Sequence, residues 1–135
     1  ESSEQINKAM SNIYMGTDGY PRVKCKAIDY QSFKPTFTED YVRVHLAVME
    51  YCSLGCPIPS GYEVHHIGPK SEYRPQYLAL LTKTQHGIQQ ALPEVLTPED
   101  IRALSVKNIY AIRRSRANTL RPLISYSKFI QRISC

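Results

Sequence analysis

The amino-acid sequence predicts a mixed fold of the α+β class, with strands and helices in separate segments. Residues 19–28 alternate between polar and apolar side chains, which is the period of a strand with one face in water. The apolar and aromatic run before His65 and His66 predicts a second strand. Thr97 followed by Pro98 and two acidic residues predicts the start of a helix.

The length and composition fit a small domain. A chain of 135 residues can bury a modest core. It has no run of about eighteen apolar residues, so no membrane-spanning helix is expected. Its first residues, ESSEQINKAM, lack the pattern of a secretion signal. We therefore expect an intracellular protein, with no prediction of its compartment.

The first half of the chain predicts three elements in order. Moderate apolar spacing predicts a short helix over residues 5–14. The strand over residues 19–28 follows. Residues 41–49 are expected to lead from a strand into a helix, and a turn rich in Gly and Pro comes next, over residues 55–61.

The second half predicts two helical regions. Thr82 or Thr84 is expected to cap a helix that runs through Gln90 and stops before Pro93. After Thr97, apolar residues recur every three or four positions. Two short helices separated near residues 105–107 would be compatible with a helix-turn-helix. The apolar positions are Ile101, Leu104, Val106, Ile109 and Ile112.

Three of the four histidines lie in residues 62–91. Cutting a phosphodiester needs a base to take a proton from water, and histidine, with a pKa near 6.5, suits that task. A divalent cation can bind the phosphate oxygens. Because adjacent strand residues point to opposite sides, His65 and His66 are not expected to bind one metal together. One ligand and one base is the division of labour that we expect.

The order of these segments resembles the HNH, or ββα-metal, endonucleases, and most closely the small homing endonucleases of phages and group I introns. The resemblance covers residues 19–91. It is carried by YPRVKCKAI after Gly19, VHLAVMEYC at 44–52, EVHHI at 63–67, the loop at 71–78 and the helix opening at 82–86.

The resemblance implies a role for each histidine. His66 falls on the general base, His65 on the first metal ligand, and His86 on the ligand supplied by the helix. The implied ion is Mg²⁺, with Mn²⁺ as the alternative. His45 matches a histidine of the preceding helical segment, and we expect a hydrogen-bonded interior residue there. Tyr77 departs from the pattern, because the family has an Asn that helps to orient the base.

The resemblance also divides the chain. It implies a nuclease core over residues 19–92, after an N-terminal helical and polar segment at 1–18. A basic helical extension follows at 93–135. In its sequence NIYAIRR, at 108–114, the extension looks like the recognition helix that follows the core in some intron nucleases. The same letters would also suit a basic helix packed on the core or on RNA.

The positive charge is concentrated at the end of the chain. Residues 1–100 carry nine Lys or Arg and twelve Asp or Glu, whereas residues 101–135 carry eight and none. Such a tail neutralises phosphates and predicts salt-sensitive nucleic-acid binding, with DNA favoured over RNA. A solvated basic face or a contact with an anionic membrane would show the same charge. The candidate contacts are Arg22, Lys24, Lys26, Arg74, Arg113, Arg114 and Arg116.

Four cysteines do not form a strong zinc motif. Cys52 and Cys56 lie four positions apart, but no second close pair follows. Zinc held by these two and a histidine stays an alternative. Reduced, partly buried thiols are the simpler interpretation.

Two functions remain open from the sequence. The first is a metal-dependent DNA endonuclease that leaves 5′ phosphate and 3′ hydroxyl ends, as the resemblance implies. The second is a nucleic-acid-binding protein that keeps the fold without catalysis, for example in a ribonucleoprotein assembly. Tyr77 and the basic tail favour the second.

Overall fold

The strands form two separate antiparallel sheets, and most of the helical residues follow them along the chain. The computed structural model describes residues 13–24 and 41–133. The first sheet contains β1 (Tyr14–Met15), β2 (Pro21–Lys24) and β3 (Tyr41–Arg43), in that order. The second sheet pairs β4 (Tyr62–His66) with β5 (Leu78–Thr82). The helices are α1 (Val44–Val48), α2 (Lys83–Ala91), α3 (Pro98–Ser115) and α4 (Tyr126–Ile133), with a π-helix at Met49–Leu54. The expected α+β class is confirmed.

The first sheet has the two-faced strand that the alternation predicted. Pro21 and Val23 are buried, whereas Arg22 between them is half-buried. Residues 25–28 of the predicted strand lie outside the described residues. The helix predicted over residues 5–14 also lies mostly outside them, and at its last residue the prediction is wrong. Tyr14 belongs to β1, where its ring packs 5.7 Å from that of Tyr41 on β3.

The predicted transition from strand to helix is confirmed. β3 leads directly into α1, whose apolar residues are mostly buried, and the helix continues as the π-helix. It ends at Gly55, where φ is 76°, a conformation that glycine adopts without steric cost. A Cβ at Gly55 would lie 2.5 Å from the carbonyl oxygen of Arg121. Glycine therefore allows the C-terminal segment to approach the π-helix closely.

β4, β5 and α2 form a hairpin followed directly by a helix. Residues 78–81 of β5 are all buried, as expected for a short apolar run. The Thr82 hydroxyl accepts a hydrogen bond from the backbone N–H of Gln85, and the Gln85 side chain accepts one from the N–H of Thr82. This reciprocal cap confirms the predicted helix start, and the helix ends at Ala91.

α3 is one unbroken helix of 18 residues. It begins as predicted, with Thr97 and Asp100 forming a reciprocal cap. The predicted helix-turn-helix is wrong, because residues 105–107 contain no helix-breaking residue. The buried hydroxyl of Ser105 accepts a hydrogen bond from the backbone N–H of Leu80 at 2.8 Å, which joins the middle of α3 to β5. Val106 is 62% exposed, so it does not belong to the apolar face as predicted.

The segment after α3 returns to the π-helix. The backbone N–H of Arg121 donates to the carbonyl of Gly55 at 2.7 Å, and α4 then buries Phe129, Ile130 and Ile133. These side chains join a core that also draws on β2, α1, β5 and α3. Within the described part of the chain, no helix is both long enough and apolar enough to span a membrane.

Candidate functional site

His65 and His86 lie close together at the junction of the hairpin and α2. Their ring centroids are 5.3 Å apart, with 59° between the ring planes. Glu63 lies two residues before His65, and alternate strand residues share a face. Its Oε1 is 3.3 Å from Nδ1 of His86. The structure thus brings together the two histidines that the sequence suggested as metal ligands, with a carboxylate beside one of them.

The ring of His66 lies in a different group. It is 4.3 Å from the ring of His45 and 5.5 Å from that of Tyr20. His45 is 3% exposed, which confirms its predicted interior position. Its Nδ1 and the Nε2 of His66 are buried without a hydrogen-bond partner among the described residues, so the hydrogen bond predicted for His45 is not found at Nδ1. Because the Nε2 of His66 is buried, the other ring nitrogen of His66, Nδ1, is the one that could act on water.

A cleft of about 280 Å³ connects the two groups. Glu63 and His86 line one part of it, and Tyr20, Arg43 and His45 line another. The N-terminal sheet thus supplies part of the wall opposite the hairpin. The cleft borders one group through His86 and the other through His45, whereas His65 and His66 are not among its lining residues.

The pKa values of His45, His65 and His66 are lowered, which favours the neutral form of each ring. Burial lowers the pKa of His65, and the neighbouring charge of His86 lowers it further. Burial also lowers the pKa of His66, with added repulsion from His65, Arg43 and a lysine. The pKa of His45 falls to about 3, mainly through burial. A neutral imidazole is the form that accepts a proton or coordinates a metal.

The donor set at His65 and His86 fits a divalent ion. A carboxylate on one nitrogen of a histidine fixes the tautomer and leaves the other nitrogen for coordination, and Glu63 holds Nδ1 of His86 in this way. No group of three or more His, Cys, Asp or Glu within residues 13–24 and 41–133 could hold a metal ion. Two imidazoles supply two ligands, so an ion held by them would take its other ligands from water or a bound molecule. Imidazole suits first-row ions better than Mg²⁺.

The loop after β4 is fastened through Tyr77, at the position where the family pattern has Asn. The carbonyl of Tyr77 accepts a hydrogen bond from the N–H of Ile67 at 2.8 Å. The guanidinium of Arg74 lies 4.9 Å from the Tyr77 ring and makes two hydrogen bonds to Glu72. Backbone bonding and stacking thus hold this loop. The contacts that pack the ring of His66 come instead from Tyr20 and His45.

Three arginines suggested as nucleic-acid contacts have protein partners. Arg22 lies 2.6 Å from the carboxylate of Asp18, and Arg74 pairs with Glu72. Arg113 donates to the backbone carbonyl at the end of the π-helix. Each partner reduces the freedom of the arginine to contact another molecule.

The remaining candidates differ in their surroundings. Arg114 and Arg116 are exposed, and the guanidinium of Arg114 lies 5.6 Å from the Tyr110 ring. Lys24 belongs to β2, and its side chain is not described. Lys26 lies outside the described residues. The two exposed arginines of this remaining set therefore lie at the C-terminal end of α3.

The two described cysteines are free thiols, as expected. Burial raises the pKa of Cys52 to about 11 and also raises that of Cys56. Zinc binds the thiolate, so this environment does not favour the alternative zinc site. Cys25 and Cys135 lie outside the described residues.

Two contacts of the site were not predicted from the sequence. The Glu63 side chain is 45% exposed and also contacts His86, a contact that was not predicted. The spacing of Glu63 and His65 on one strand is the signal that could have found this contact. No local signal could bring Arg43 to Tyr20, because their proximity depends on the pairing of β2 with β3.

The chain was also compared with known proteins. No family model, curated protein or solved structure matched it. The interpretation of the site consequently depends on its own residues and geometry.

Proposed function

We propose that this chain is a metal-dependent endonuclease of the HNH type, which hydrolyses phosphodiester bonds in DNA. One observation carries the proposal. A strand, loop, strand and helix place His65 and His86 with ring centroids 5.3 Å apart, while His66 lies next in sequence with its ring in a second group. This order of elements agrees with the ββα arrangement that the resemblance implied.

In the proposed reaction, His66 is the general base. Its Nδ1 takes a proton from water, whose oxygen forms a bond to phosphorus in line with the leaving group. The bond between phosphorus and the 3′ oxygen breaks, and this oxygen takes a proton from solvent. The products are a 5′ phosphate and a 3′ hydroxyl. Burial lowers the pKa of His66, which favours the neutral ring that can accept a proton.

His65 and His86 hold the ion in this proposal, and Glu63 orients His86. When bound, the ion stabilises charge on the phosphate and on the leaving oxygen. The resemblance implies Mg²⁺ or Mn²⁺, and two imidazole donors add weight to the first-row ion. Both ions therefore belong in the test.

Supercoiled plasmid incubated with the protein and Mg²⁺ or Mn²⁺ tests the proposal. Loss of the base in His66→Ala should slow cutting by about 10²- to 10⁴-fold while DNA binding in chelator is unchanged. Gln76→Ala, at an exposed residue of the neighbouring loop, is the matched control and should cut like the parent. A parent that cuts with neither ion, or a His66→Ala variant that cuts at the parent rate, contradicts the proposal.

The second candidate is a nucleic-acid-binding protein that has this fold without catalysis. It is favoured by Tyr77 at the usual Asn position, and by the Nε2 of His66, which has no partner among the described residues to orient the ring. A subunit of a ribonucleoprotein assembly would fit such a protein. Tight, salt-sensitive binding without cutting, in the parent and in His66→Ala alike, supports this candidate.

A further inference from the structure

Two cations approach one aromatic ring beside His66. The guanidinium carbon of Arg43 lies 4.2 Å from the centroid of the Tyr20 ring, and Nζ of Lys70 lies 5.1 Å from it. The same ring is 5.5 Å from that of His66. Arg43 comes from β3 and Lys70 from the loop after β4, so the fold itself brings the two charges together.

Asp18 fixes this cationic group but does not neutralise it. Its Oδ2 is 2.8 Å from Nη2 of Arg43 and 2.6 Å from Nη2 of Arg22, while its backbone carbonyl lies 3.5 Å from Nζ of Lys70. Two arginines therefore share one carboxylate, and Lys70 approaches the backbone carbonyl of the same residue. Like charges held close together repel one another, and a bound anion would offset that repulsion.

The cations are accessible to a ligand. The side chain of Arg43 is 39% exposed and lines the cleft, and Lys70 is exposed. Arginine has five N–H donors and lysine three, so the contacts with Asp18 leave several for an anion. Both cations contact the Tyr20 ring. The ring therefore supports the two cations and is less suited to stacking on a base.

We propose that Arg43 and Lys70 bind a backbone phosphate of the nucleic acid, next to the phosphate that is cut. The identity of the ligand rests on the proposed function. Arginine offers planar paired donors and lysine a compact charge, and both suit phosphate oxygens. A phosphate held beside His66 would fix the strand so that its neighbour reaches the ion held by His65 and His86.

The experiment measures binding of a fluorescently labelled DNA duplex over a range of salt concentrations. It is done in chelator, where no metal-dependent cutting occurs. Loss of one phosphate contact in Lys70→Gln should reduce the slope of log affinity against log salt by about 0.9. Arg43→Gln should reduce it by a similar amount, with thermal unfolding as a check on its fold. Lys83→Gln removes an exposed lysine of α2, outside the cleft lining, and should leave the slope unchanged.

A slope change in Lys70→Gln and Arg43→Gln no larger than that in Lys83→Gln overturns the phosphate site. This outcome is distinguishable from failure of the nuclease proposal, because the binding measurement needs no catalysis. A parent that cuts plasmid while the Lys70→Gln slope is unchanged leaves the nuclease and removes the site. A reduced slope in a protein that does not cut leaves the site and removes the nuclease.

Discussion

The histidine group and the arginine clamp hold buried and half-buried ionisable side chains in opposite ways. The histidine group consists of His45 and His66, whose buried nitrogens Nδ1 and Nε2 have no partner among the described residues. The arginine clamp consists of Arg113 and Arg121, which fasten the C-terminal region to the π-helix. Unsatisfied buried nitrogens are costly to keep, and such costs concentrate at functional sites. The concentrated positive charge of this chain is therefore partly structural, and the histidine group is the better indicator of function.

The arginine clamp should show the largest effect. Arg121 lies 2.7 Å from the fully buried carboxylate of Glu50, and its guanidinium lies 4.4 Å from the ring of Tyr51. Arg121→Ala removes an ion-pair partner of the buried Glu50 carboxylate, so the free energy of unfolding should fall by about 3–5 kcal/mol. Urea denaturation monitored by circular dichroism measures the change.

Two further variants show whether the clamp works as described. Glu50→Gln in the Arg121→Ala background removes the stranded charge and should recover part of the lost stability. Arg102→Ala, at an exposed residue of α3, should change the free energy of unfolding by less than about 0.5 kcal/mol. If Arg121→Ala is no more destabilising than Arg102→Ala, the comparison between the two regions fails.

The histidine group should respond to pH where the clamp does not. The pKa of His45 is about 3 in the folded chain, against 6.5 for an unperturbed histidine. Between these values the unfolded chain binds a proton that the folded chain does not, so stability falls as pH falls. The slope is about 1.4 kcal/mol per pH unit, which gives a loss of about 2 kcal/mol between pH 7 and pH 5. Denaturation curves at both pH values provide the measurement.

His45→Gln is the control for this pH dependence. It removes the titrating group, so the difference in stability between pH 7 and pH 5 should shrink by about 2 kcal/mol relative to the parent. Burial acts to lower the pKa of Arg121, but its hydrogen bond to Glu50 raises it overall, so Arg121 stays charged throughout. An unchanged pH dependence in His45→Gln would show that other groups cause it.

Local signals in the sequence predicted much of the fold. Thr82 and Thr97 cap their helices because each cap involves a side chain only three residues away. The unbroken course of α3 was missed, since the buried position of Ser105 depends on its hydrogen bond to Leu80, 25 residues earlier in the chain. Ser105 lies at the predicted break, and in the structure it joins the helix to the sheet.

The candidate site likewise contains some contacts that the local sequence predicts and others that depend on tertiary packing. The proximity of His65 and His86 could be predicted because a hairpin followed at once by a helix returns the chain to its starting strand. The position of Tyr20 beside His66 could not, because it depends on how the first sheet packs against the second. Whether an arginine faces solvent or a backbone carbonyl depends on the same packing, so composition alone overstated the free charge of the C-terminal region.

The smallest predicted effects separate two neighbouring arginines on α3. Arg113 donates to the Leu54 carbonyl, so Arg113→Gln should lower the free energy of unfolding by about 1.5 kcal/mol. Arg114 is exposed, and Arg114→Gln should leave stability within about 0.5 kcal/mol of the parent.

If the end of α3 contacts DNA, Arg114→Gln should instead reduce the salt slope of binding by about 0.9. Urea denaturation and binding titrations on both variants measure the two effects. Equal stability losses in the two variants would contradict the structural role of Arg113, and an unchanged salt slope in Arg114→Gln would remove this helix end from the nucleic-acid surface.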